Sequence, residues 1–238
     1  MSSRFEELAW RETPLGEIRL RRRFDPSLKL DVYEVKLGDE FLMSSLFTVA
    51  EIELARLGLA ALDGDDLDVV VGGLGLGYTA RAVLEDPRVR TLTVVEALDD
   101  VIGWHRSELL PFAAELTRDS RTRLVHADFF ALVAGATGFD PDTPGRRFHA
   151  FLVDIDHTPR QVLHPSHAAF YTPEGLRRLT RRLHPGGVFA LWSNDRPDED
   201  FTATLTEAFA TAKAHVVSFP NPLQGRPATN TVYVATVA

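Results

Sequence analysis

Polar and apolar positions alternate near the start of the chain. Glu17-Ile18-Arg19-Leu20-Arg21 and Leu30-Asp31-Val32-Tyr33-Glu34-Val35-Lys36-Leu37 read as half-exposed strands, and Glu40 to Ser44 as a third short one. Gly16, Asp25-Pro26 and Gly38-Asp39 punctuate them as turns. The period then changes. From Val49 to Leu62 the apolar positions Ile52, Leu54, Leu57 and Leu59 predict an amphipathic helix, and Gly64-Asp65-Asp66 reads as a linker. These patterns predict a small antiparallel β domain over 1–48, a linking helix and linker over 49–66, and a third region from 67 to 238.

In the third region strands and helices alternate. Strands are predicted at 69–72, 91–95, 122–126, 148–153, 188–192, 214–219 and 231–235. Helices are predicted at 78–85, 98–106, 108–116, 173–183 and 199–212, with a short helix and a Gly-, Pro- and Asp-rich loop over 129–147. Such alternation implies right-handed crossovers and a mostly parallel sheet with helices on both faces. The last two strands read as an antiparallel hairpin at the sheet edge. Seven strands ending this way resemble the Rossmann-like class I methyltransferase fold, an α/β architecture.

The stretch with most chemical content is Val69-Val70-Val71-Gly72-Gly73-Leu74-Gly75-Leu76-Gly77. A run of valines fits a strand buried on both faces, and glycines let the chain turn and approach a ligand closely. The spacing is Gly73-x-Gly75-x-Gly77, whereas a dinucleotide fingerprint has two residues between its last two glycines. A nucleoside site without a pyrophosphate clamp is the better match. Glu96 ends the next strand, 19 residues after Gly77, where a carboxylate can accept from two ribose hydroxyls. The bland alternative is that these glycines serve only strand–helix packing.

Composition bounds the rest. The chain has 238 residues, 45% hydrophobic and 25% charged, as soluble globular proteins do. No run of about 18 apolar residues predicts a membrane span, and MSSRFEELAW has no signal-peptide core, so a cytoplasmic protein is expected. Zero cysteines exclude disulfides, thiolate metal sites and a cysteine nucleophile. The net charge of −8 argues against a nucleic-acid surface and mildly favours a cationic substrate.

Ligands of open α/β sheets bind at the carboxyl ends of the strands. Asp128 stands at such an end. It is suited to an adenine amine, with the Phe129 ring beside it to pack on the base, and equally to capping a helix over 129–132; the two roles are compatible. Asp154-Ile155-Asp156-His157-Thr158-Pro159 follows the strand 148–153. One of its carboxylates can orient an amine while another group, Asp156 or His157, removes the proton; an Asx turn before Pro159 is the structural alternative. His164 and His167 have no evident third ligand, so no metal is expected. Phe47, Tyr78, Tyr171 and Trp192 read either as acceptor-pocket lining or as core.

These features resemble the spermidine synthase family, the polyamine aminopropyltransferases, over nearly the whole chain. The resemblance rests on the N-terminal β domain, the glycine turn with Ala82-Val83-Leu84-Glu85-Asp86-Pro87, and Val94-Val95-Glu96. Asp128, Leu152-Val153-Asp154-Ile155-Asp156, Phe170-Tyr171-Thr172, Leu183-His184-Pro185-Gly186-Gly187 and the loop from Phe219-Pro220 to Gly225 extend it. It implies that Glu96 binds ribose and Asp128 adenine, and that Asp154 or Asp156 holds and deprotonates the attacking amine. It also implies decarboxylated S-adenosylmethionine as donor, a small-molecule amine as acceptor, and a homodimer.

The sequence also departs from the family. The usual acid of the glycine loop falls on Leu74 or Leu76. The Tyr-His-Glu stretch is replaced by Glu51-Ile52-Glu53, of which Glu53 is the expected match. The Asp-Ser-Thr-Asp-Pro segment is one residue longer, and the donor-contacting glutamine is replaced around Met43-Ser44-Ser45. An aminopropyltransferase-like enzyme is therefore the first expectation. A methyltransferase using intact S-adenosylmethionine on a small molecule is the second, since losing the loop acid removes a repulsion on its carboxylate. A catalytically silent nucleoside-binding protein is the third.

Overall fold

The computed structural model describes residues 5–221 and 224–238. Pro222 and Leu223 of the late loop, and the first four residues of the expected β domain, lie outside the described residues. The N-terminal sheet has four antiparallel strands in sequential order: β1 (Phe5–Thr13), β2 (Gly16–Asp25), β3 (Leu30–Leu37) and β4 (Glu40–Ser44). β1 was not among the expected strands. It is an edge strand with a register break between Glu7 and Ala9, so its side chains do not alternate regularly. Glu6 and Glu7 tie it to Arg22 and Arg19 of β2.

The second sheet has seven strands. It is built from β5 (Leu67–Gly72), β6 (Val89–Glu96), β7 (Thr122–His126), β8 (Phe148–Val153), β9 (Leu183–Ser193), β10 (Thr211–Asn221) and β11 (Arg226–Thr236), in the order β10-β11-β9-β8-β5-β6-β7. β11 runs antiparallel to both its neighbours, β9 and β10, and the other six strands all run in one direction. This is the expected mostly parallel α/β sheet preceded by an antiparallel one. The closing hairpin is longer than its apolar cores at 214–219 and 231–235 suggest, because pairing runs from Thr211↔Thr236 to Asn221↔Arg226.

Alternation along the strands assigns the two faces. Val69, Val71, Ala150, Leu152 and Ala190 pack on one side, under α1 (Val49–Ala60), α2 (Tyr78–Leu84) and α3 (Asp99–Arg106). Val70, Phe151, Val153, Phe189 and Leu191 pack on the other, under α5 (Phe129–Ala134), α6 (Pro173–Thr180) and α7 (Glu199–Thr206). The first face is lined by small residues, and α1 comes close to it. A Cβ on Gly58 would collide with the side chain of Leu152. The second face is aromatic, with Phe129 5.3 Å from Phe139 and 5.8 Å from Phe170. A short helix, α4 (Ala113–Arg118), packs against α3 and β7. Among the described residues no helix is long and apolar enough to cross a membrane.

Candidate active site

The carboxyl ends of β5, β6, β7 and β8 open into a cavity of about 840 Å³. The N-terminal sheet forms its opposite wall. Gly73, Gly75, Glu96, Asp128, Phe129 and Asp154 all line it. Gly77 and Asp156 do not.

The glycine turn is built by backbone geometry. Gly73 has φ +93°, and a Cβ there would run into the carbonyl of Asp154. Gly75 has φ +46° and lies under Met43, whose Sδ accepts from the Leu76 N–H at 3.1 Å. Buried His105 closes the turn from the far side, with Nε2 2.9 Å from the Gly75 carbonyl. Burial lowers its pKa, so a neutral ring donating from Nε2 fits the contact. Gly77 is a correction to the sequence reading. It precedes α2 with φ +90°, and a side chain there would meet Leu116 and His105, so its role is packing.

Glu96 is held in place by the turn itself. Its Oε2 accepts from the Leu74 N–H at 3.0 Å and its Oε1 from the Leu98 N–H at 2.9 Å. Burial pushes its pKa up, and the N–H groups of Leu74, Leu98, Gly75 and Ala97 offset only part of that rise. The Gly75 and Ala97 N–H groups face the same carboxylate, and Glu96 lines the cavity. Asp128 caps α5, its Oδ1 accepting from Phe130 N–H at 2.8 Å and Ala131 N–H at 3.1 Å. Both bonds end on one oxygen, which leaves Oδ2 for the cavity. The Phe129 ring is buried in the aromatic cluster beneath Gly72. It therefore supports the floor of the cavity and has no open face on which a base can stack.

Asp154 and Asp156, adjacent in the sequence reading, part company here. Asp156 is 1% exposed. Its Oδ1 accepts from Leu163 N–H at 2.7 Å and His167 Nδ1 at 2.8 Å, and its Oδ2 from the Tyr171 hydroxyl at 2.8 Å. With both oxygens engaged and no access to the cavity, Asp156 ties the loop after β8 to the segment 163–171. Its expected catalytic role is corrected accordingly. Tyr171 joins it in the core, while Phe47, Tyr78 and Trp192 line the cavity.

Asp154 instead meets a partner that sequence reasoning passed over. Glu51, in the first turn of α1, is only 6% exposed and lines the cavity beside it. Burial and the Asp154 charge push Glu51 up to about 8, and burial pushes Asp154 up to about 6. The Thr79 hydroxyl, 2.9 Å from Asp154 Oδ2 and 3.2 Å from the Glu51 carbonyl, bridges the two segments. Near neutral pH the pair thus holds one proton and one negative charge. Glu53, the expected match, points outward to Arg56 at 3.3 Å. His157 lines the cavity with its Nε2 3.8 Å from Glu40.

No protein-family model matches the sequence, and no curated protein matches it. Solved structures do. The chain is similar to the spermidine synthase of Thermotoga maritima, with 16% identity and a TM-score of 0.73, covering 98% of this chain and 73% of that one. The fold is that of the spermidine synthases. A spermidine synthase in complex with the transition-state analogue AdoDATO is matched at 16% identity and a TM-score of 0.71, over 98% of this chain and 72% of that one. The spermidine synthase fold carries both layers described above, the four-stranded sheet as well as the seven-stranded one.

Proposed function

We propose that this protein transfers the aminopropyl group of decarboxylated S-adenosylmethionine to an amine. The observation that carries this reading is the carboxylate pair on the cavity wall, formed by buried Glu51 and half-buried Asp154. The glycine turn has no acid, since Leu74 and Leu76 are both buried apolar residues. Glu51 supplies the missing acid from another element. Such an anionic pair attracts the ammonium groups of an amine and of the decarboxylated donor, and repels the carboxylate of intact S-adenosylmethionine.

In this reading Glu96 takes the ribose hydroxyls and Asp128 the adenine amine. Asp154 orients the acceptor nitrogen, and Glu51 ionises once a cation lies beside it. Burial lowers the pKa of the acceptor ammonium, so its proton passes to the carboxylate pair and leaves a neutral nucleophile. The nitrogen lone pair attacks the propyl carbon bonded to the sulfonium. The carbon–sulfur bond breaks, its electrons return to sulfur, and methylthioadenosine leaves as a neutral thioether. The sulfonium is already a good leaving group, so most of the rate comes from positioning.

A second reading, methyl transfer from intact S-adenosylmethionine, is favoured by the absence of an acid on the glycine turn. Calorimetric titration with both donors, followed by product assay, separates the two. Aminopropyl transfer requires at least tenfold tighter binding of the decarboxylated donor, a difference of about 1.4 kcal/mol, and release of methylthioadenosine with an amine present. Tighter binding of the intact donor and release of S-adenosylhomocysteine would establish methyl transfer instead.

A further inference from the structure

The cavity is chemically lopsided. Its acids are Glu51, Glu96, Asp128 and Asp154, all at the strand ends or on α1. The wall supplied by the N-terminal sheet and the terminal hairpin is different. Leu15, Leu37, Phe41, Leu42, Phe47 and Phe219 line it, beside uncharged polar groups of Ser44, Asn221, Gln224, Thr229 and Asn230, and no carboxylate among the described residues does so on that side. Phe41 is 47% exposed and Leu15 42%, so large apolar groups face the opening. Phe47 and Phe219 lie 6.1 Å apart, ring to ring, joining the two parts of the wall. Glu40, the acid next to Phe41 on β4, is not in the lining and has its carboxylate 3.8 Å from His157.

We infer that the acceptor is a primary monoamine with an apolar body: one cationic head at Glu51–Asp154 and a hydrocarbon or aryl tail along the Phe41–Leu42–Phe47–Phe219 wall. The inference rests on the proposed donor-to-amine transfer and specifies its acceptor. An α,ω-diamine of similar length places its second ammonium on a wall without a carboxylate, where desolvation without a counter-charge is unfavourable. A tail of the same length ending in a methyl group buries apolar area at no such cost. In the transfer the acceptor ammonium loses one proton to the carboxylate pair, its nitrogen gains the propyl carbon as the carbon–sulfur bond breaks, and the product is a secondary ammonium beside methylthioadenosine.

Hexylamine and 1,6-diaminohexane differ only at the far end and make a matched pair of probes. Their binding is measured by calorimetry on the full chain saturated with methylthioadenosine. Hexylamine is expected to bind at least tenfold tighter. Phe41→Glu, at an exposed position, is expected to shift the ratio at least tenfold toward the diamine. Equal or tighter binding of the diamine to the unaltered protein, or binding of neither amine, overturns the inference. Turnover tests the underlying reading separately. If hexylamine binds tighter but no methylthioadenosine is released from the decarboxylated donor, aminopropyl transfer fails while the acceptor class stands. Hexylamine methylated by the intact donor would show the same acceptor site serving the other chemistry.

Discussion

Replacing Glu51 by glutamine tests the carboxylate pair through stability, independently of any substrate. Folding moves Glu51 from its ordinary 4.5 up to about 8, through burial and the Asp154 charge. A raised acid binds more protons folded than unfolded, so its contribution to stability falls as pH rises from about 4.5 to about 8. Between about pH 5 and about pH 8 this proton's tighter hold in the folded protein amounts to a stability loss on the order of 3 kcal/mol. For a chain of this size each kcal/mol shifts Tm by about 2–4 °C, so the loss is on the order of 10 °C. Glutamine keeps the shape of the protonated acid and cannot ionise. Glu51→Gln should therefore melt close to the unaltered protein at about pH 5 and well above it at about pH 8. Asp154 is also raised, to about 6, and contributes a slope of the same sign to both proteins. Thermal melts by circular dichroism at the two pH values give the comparison directly. Parallel pH dependence in the two proteins would refute the pair.

Three further substitutions probe the remaining parts of the site. Glu96→Gln should weaken methylthioadenosine binding by roughly tenfold to a hundredfold in calorimetry, as expected for losing charge-assisted bonds to ribose; unchanged affinity would remove Glu96 from the nucleoside site. Gly73→Ala should cost about 2 kcal/mol or more in urea unfolding, because its backbone stands at φ +93° and a Cβ meets the Asp154 carbonyl. Asp156→Ala should destabilise by about 3 kcal/mol, since it strands the Leu163 N–H and the Tyr171 hydroxyl in the interior. The same variant should leave methylthioadenosine affinity within about threefold; a large loss of affinity with unchanged stability would place Asp156 in contact with ligand.

The parallel strands and the glycine turn were legible because a buried strand, a run of glycines and an acidic strand end leave strong local signals. Glu51 was not. Glu51 and Glu53 are two residues apart, about 200° around a helix, so only one can face the site. The apolar positions Ile52, Leu54, Leu57 and Leu59 do not choose between them. The choice is made by Ala50, Ala55 and Gly58, whose small size lets α1 settle closely on β8 and β9 and carries Glu51 inward. Small residues are silent in a hydrophobicity pattern. Asp156 was misread for a related reason. Two acids two positions apart look equivalent in sequence, and only the placement of Leu163, His167 and Tyr171 sends one of them into the interior. β1, largely exposed along its length and broken by its register shift, carries no period to read.

The position of β11 has a consequence for how the protein is made. Of the eleven strands among the described residues it is made last, yet it lies inside the sheet, between β9 and β10. Until it leaves the ribosome, β9 presents one bare hydrogen-bonding edge, and β10 has no neighbour in the sheet at all. Ala228, Thr229 and Asn230, which complete one side of the cavity, arrive with the same strand. A nascent chain arrested before residue 226 therefore carries the whole carboxylate pair and the glycine turn but has an open cavity and an adhesive edge, and self-association competes with the closing step of folding.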